Sequence, residues 1–125
     1  MAKQDKIKTI EINGEKFVPL SEVRTPAPDL DGMPYKLIRG DRSGVFCGFV
    51  EKSDGKEVVL RQARRLWYWS GAASLSQLAE DGVSNPNQCK FPKEMSRVRI
   101  TDVIEEIDMT DKAYKSVKGV EEWKK

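Results

Sequence analysis

The chain is predicted to fold as a β-dominated α+β domain. The expected form is an antiparallel sheet or small barrel of short strands, with one short helix after a tryptophan-rich strand and a hairpin arm at the N-terminus. Three observations predict this. Short stretches with apolar side chains at alternate positions recur between the turn signals Asn13-Gly14, Gly40–Gly44 and Ser53-Asp54-Gly55. The stretch Ala72–Asp81 instead spaces its apolar residues three and four apart, as a helix requires. The 125 residues fit one domain with a modest core.

The elements follow in order. Ile7–Ile12 and Glu15–Val18 flank Asn13-Gly14, a pair that tolerates the positive φ of a type I′ hairpin turn. An isolated hairpin is marginal in water, so this arm needs a surface to pack on, either its own domain or another subunit. Thr25–Pro34 carries three prolines and reads as an extended linker, dividing an arm and linker (1–33) from a core domain (34–125). Tyr35–Arg39, Val45–Glu51 and Glu57–Gln62 read as successive strands. In the second, Val45, Cys47 and Phe49 share one face and Phe46, Gly48 and Val50 the other. Apolar groups on both faces predict a central strand, and Gly48 predicts close approach by a neighbour.

Arg64–Trp69 reads as a further strand, with Arg64, Leu66 and Tyr68 on one face and Arg65, Trp67 and Trp69 on the other. Ala72–Asp81 is the predicted helix, stopped by Gly82, with Ser70 as its cap. Val83–Phe91 is a loop. Met95–Ile107 reads as one long strand bent near Thr101-Asp102, and Thr110-Asp111 opens a last short helix, Asp111–Val117.

Composition narrows the chemistry. No histidine is present, which removes the usual general base near neutral pH and the Ser-His and Cys-His nucleophile pairs. Cys47 and Cys89 stand far apart without metal-ligand spacing, so no metal site and no cofactor is predicted. Glu105 and Glu106 point to opposite faces of a strand, which argues against a carboxylate pair. The expectation is a protein that binds and does not catalyse. No apolar run approaches the ~20 residues that cross a bilayer, and no secretory signal is evident, so the expected location is cytosolic. The net charge of +2 argues against a general polyanion binder.

The binding candidates cluster between Arg61 and Gly82. Trp67 or Trp69 would stack a flat ring, a contact worth about 1–3 kcal/mol per base. Arg64 and Arg65 would neutralise phosphate through paired hydrogen bonds. Ser70, Gly71, Ala72 and Ser74 would surround an anion at the helix start, and Gln77 would read a base edge. The same residues also suit plain packing: aromatic strands usually line cores, and strand arginines usually pair with neighbours such as Glu51, Glu57, Glu105 or Glu106.

Through NGEKFVP, SGVFCGFV, DGKEVVL, ARRLWYWSGAASLSQLAEDGV and NPNQCKFP, the chain resembles a family of small proteins encoded by bacteriophages and prophages. The resemblance runs from Ile12 to Trp123. It carries no enzymatic activity and implies an accessory phage protein in the bacterial cytoplasm. By analogy with small phage proteins that withhold nucleotide signals of host immunity, the expected role is a homo-oligomeric sponge for a nucleotide-derived small molecule. The competing expectations are a single-stranded nucleic-acid binder, which the near-neutral charge disfavours, and a protein that blocks a host enzyme through its tryptophan surface.

Overall fold

Alternation and turn chemistry together produce a four-stranded meander, which a fifth strand extends at its far edge. The computed structural model describes residues 10–12, 15–17 and 24–124. The first hairpin pairs Ile10–Ile12 (β1) with Glu15–Phe17 (β2), Ile12 lying opposite Glu15. The rest of the expected arm, residues 7–9, 13–14 and 18, lies outside the described residues.

Tyr35–Gly40 (β3), Val45–Asp54 (β4), Glu57–Arg65 (β5), Met95–Ile100 (β6) and Val103–Asp108 (β7) form one antiparallel sheet in the order β6-β5-β4-β3-β7. Leu75–Asp81 (α1) and Asp111–Gly119 (α2) complete the β-dominated α+β domain. β4 is central, as its two apolar faces predict. Cys47 and Phe49 enter the core shared with the helices, whereas Phe46 and Val50 enter a second cluster on the opposite face. A Cβ at Gly48 would lie 3.1 Å from Ala63 Cα and 3.2 Å from Arg61 O, so β5 crosses at close range.

The second cluster gathers Ile38, Phe46, Leu60, Ile100 and Val103 from five different strands, with no residue of either helix among them. The sheet buries this face by curling on itself. Backbone bonds close the curl: Val103 N donates to Lys56 O at 2.9 Å and Asp41 N to Asp102 O at 2.8 Å.

Three sequence expectations need correction. Met95–Ile107 is two strands on opposite sheet edges, because Asp102 turns the chain there. Its carboxylate accepts from Arg42 N (2.8 Å), Ser43 N (3.0 Å) and Ser43 Oγ (2.6 Å), fastening the β6–β7 link to the β3–β4 turn. Arg64–Trp69 is not a separate strand. β5 runs unbroken to Arg65, and beyond Leu66 the chain finds a new partner, Lys90. The first helix begins at Leu75 instead of Ala72, because Ser74 caps it.

The proline-rich stretch also docks more closely than a linker. Ala27 N donates to Met109 O and Asp111 N to Thr25 O, and Asp31-Gly32 makes a tight turn with φ of 50° and 82°. Arg24 reaches Asp81 at 3.0 Å, and Lys112 lies 3.7 Å from the same carboxylate. These cations offset the acidic residues at the negative end of the α1 dipole. Among the described residues no helix is long and apolar enough to cross a membrane.

Candidate functional site

Arg64, one of the two residues expected to clamp phosphate, is taken up by the fold. Arg64 is buried on the helix side of the sheet, donating to Val117 O at 2.9 Å and Phe91 O at 3.4 Å and lying over the Phe91 ring. Burial holds its pKa below the ordinary guanidinium value, partly opposed by Tyr35 and Glu94 nearby. Arg65 leaves the opposite face, donating to Ser43 O at 2.7 Å with its guanidinium 4.4 Å from the Phe46 centroid. The two side chains therefore cannot meet on one ligand. The other strand arginines pair as strand arginines commonly do: Arg61 and Arg97 both bind Glu51, and Arg99 binds Glu57.

The helix start is likewise satisfied from within. Gln77 N donates to Ser74 Oγ at 3.1 Å, and Ala73 N donates to Gln77 Oε1 at 2.8 Å. This is a variant of the reciprocal Ser-x-x-Gln cap, legible in the sequence at Ser74 and Gln77. Ser70 accepts from Asn85 Nδ2 at 3.1 Å, and Gly71 O accepts from Ser84 N at 3.2 Å. A Cβ at Gly71 would sit 2.5 Å from Ser84 N, so the segment is zipped against the loop. Trp69 and Ala72 are half-buried against the helix-side core.

Trp67 behaves differently. After Leu66 the chain runs beside Lys90: Tyr68 and Lys90 form a bridge, with Lys90 N donating to Tyr68 O at 2.7 Å. On the far side Phe91 bridges Glu122, and Trp123 N donates to Phe91 O at 2.9 Å. This small three-segment ribbon turns Trp67 and Tyr68 outward, leaves Trp123 half-buried and buries Phe91. Trp67 is 62% exposed and Tyr68 49%. The indoles of Trp67 and Trp123 stack with centroids 5.7 Å apart and planes 24° from parallel. Lys90 Nζ lies 5.7–5.9 Å from the Trp67, Tyr68 and Trp123 rings. Sequence reasoning singled out Trp67 but missed Lys90 and Trp123. Their signal is the long-range pairing of 67–68, 90–91 and 122–123, which no local pattern encodes.

A family model described as a domain of unknown function, DUF6948, matches residues 33–117. The chain belongs to this family. The match covers Trp67, Tyr68 and Lys90 within the DUF6948 domain and stops short of Trp123. Comparison with curated proteins and with solved structures returned no match.

The remaining chemistry of this DUF6948 domain is spare. Cys47 and Cys89 are buried and unpaired, and desolvation pushes the Cys47 thiol well above its ordinary pKa. That suits a packing group better than a nucleophile. Among the described residues no three of the His, Cys, Asp and Glu side chains gather as metal ligands.

Proposed function

We propose that this DUF6948 protein is a non-catalytic binding protein that grips a partner protein of a bacterial host through the Trp67–Tyr68–Lys90–Trp123 surface. The exposure of Trp67 on top of a stacked indole carries the reading. A fold that encloses Phe46, Phe91 and Leu66 leaves its largest aromatic face open, although Trp and Tyr are the side chains that dominate protein interfaces when they become enclosed. The open shape supports a broad contact, and Lys90 offers a cation at its centre. The accessory phage role and cytoplasmic location implied by the resemblance belong to the same proposal.

Affinity capture from bacterial lysate with the wild-type protein and a Trp67→Ala/Tyr68→Ala double variant tests this. A partner retained by the wild type and lost by an equally stable variant supports it; equal retention by both overturns it.

A second reading, sequestration of a nucleotide-derived host signal, draws on the near-parallel Trp67 and Trp123 rings with an ammonium group beside them. A base stacking on Trp67 with its phosphate on Lys90 is the arrangement this predicts, within the monomer or at a boundary between copies. Calorimetry against cyclic nucleotides separates the two readings. Binding tighter than ~100 μM that is lost in Lys90→Ala favours the signal over the protein partner. Steep salt dependence with oligonucleotides instead points to single-stranded nucleic acid.

A further inference from the structure

A separate concavity lies where the sheet curls, on the face opposite the helices. It is an open groove of about 410 Å³, lined by Arg42, Arg65, Val98, Arg99, Ile100 and Asp102 among others. Such a volume falls in the range of small-molecule sites. Its charge is uneven. Arg99 is paired with Glu57, and the Asp102 carboxylate is already taken by the Arg42 and Ser43 amides and the Ser43 hydroxyl. Arg42 and Arg65 have no acidic partner among the described residues.

Arg65 is also held in place. Its guanidinium rests on the Phe46 ring and gives one N–H to Ser43 O. A guanidinium carries five N–H donors, so this one is oriented with others still to place. Arg42 is exposed and sits on the turn that Asp102 fastens to the β6–β7 link. A fixed cation, a second cation on an anchored turn and an apolar wall of Val98 and Ile100 together suit an anion with an apolar body.

We propose that this groove binds a small organic phosphate, its phosphoryl oxygens on Arg42 and Arg65 and its apolar body along Val98 and Ile100. Paired guanidinium donors match tetrahedral oxyanions in geometry as well as charge. The site is independent of the Trp67 surface, since Arg65 faces away from the helix-side core that Arg64 and Leu66 enter.

The test is a nitrogen-15 NMR titration of the full chain with inorganic phosphate, phenyl phosphate and succinate at matched ionic strength. The proposal expects saturable shifts at Ser43, Thr101 and the Arg65 side chain, with the Trp67 and Trp123 indole signals unmoved. Phenyl phosphate is expected to bind about tenfold tighter than inorganic phosphate, and Arg42→Ala to weaken it about tenfold. Arg42 carries no side-chain partner among the described residues, so this variant retains the fold, which its melting temperature verifies. No saturable shift below ~10 mM, or equal affinity in Arg42→Ala, overturns the site. Succinate binding as tightly as phenyl phosphate overturns the assignment to phosphate.

Discussion

The buried guanidinium of Arg64 donates to the carbonyl of Phe91, and that carbonyl also accepts the amide of Trp123. One core arginine thus supports the ribbon on which the exposed rings stand. Arg64→Ala would leave the Val117 and Phe91 carbonyls short of a buried donor and open a void beside the Phe91 ring. A loss of about 2–4 kcal/mol in urea unfolding is expected. Trp123 should become more accessible to a fluorescence quencher in the same variant while it is still folded. A loss under about 0.5 kcal/mol would mean that the guanidinium contributes little.

Tyr35 gives the opposite expectation. Its ring packs edge-on to Phe49 and Tyr114 at 4.9 and 4.8 Å, but its buried hydroxyl has no hydrogen-bond partner among the described residues. Desolvation also raises its pKa far above the ordinary phenol value, so it stays neutral. Tyr35→Phe removes an unsatisfied polar atom and keeps the packing. Its stability should match the wild type or exceed it by up to about 1 kcal/mol.

Gly71 tests the zipped loop. Its φ of 95° disfavours any side chain, and an added Cβ would meet the backbone of Ser84 and Asn85. Gly71→Ala should cost about 2–4 kcal/mol, read as a lower urea midpoint. A neutral result would mean that the 70–71 segment moves freely from the 84–85 loop.

Acid should weaken the fold through two carboxylates. Hydrogen bonds from Arg97 first, then Arg61, hold Glu51 below its usual pKa; the Ser43 hydroxyl, then the Arg42 amide, do so for Asp102. Folded values below the unfolded ones stabilise the protein above the ordinary carboxylate range, at about pH 4–4.5, and that contribution disappears as pH falls through the lowered values. A Glu51→Gln/Asp102→Asn variant should start less stable at pH 7 and lose less on acidification. An acid limb as steep as the wild type's contradicts this.

Much of the fold was legible because burial on both sides leaves its mark on residue type. The two faces of β4, its central position and the close approach at Gly48 all follow from Val45–Val50 read two residues at a time. What the pattern hid was set by distant partners. The period of two breaks between Ile100 and Val103 and marks a bend, but nothing local says that Asp102 will bond Ser43 and send the chain to the other sheet edge. Likewise Arg64–Trp69 keeps its strand-like rhythm past Arg65, where the partner changes from Val45 to Lys90. For the candidate site, Trp67 was readable as a large aromatic. The fates of Arg64 and Arg65 were not, since they depend on Val117, Phe91 and Ser43 arriving from elsewhere.

The central claim is that Trp67 and Trp123 form a binding face while Trp69 belongs to the packed domain. The chain has three tryptophans, so uniform 5-fluorotryptophan labelling yields three assignable fluorine signals. Adding bacterial extract, whole and then filtered to small molecules alone, reads the claim directly. The account predicts that the Trp67 and Trp123 signals shift or broaden while that of Trp69 holds. Unchanged signals for Trp67 and Trp123 in both extracts would contradict it.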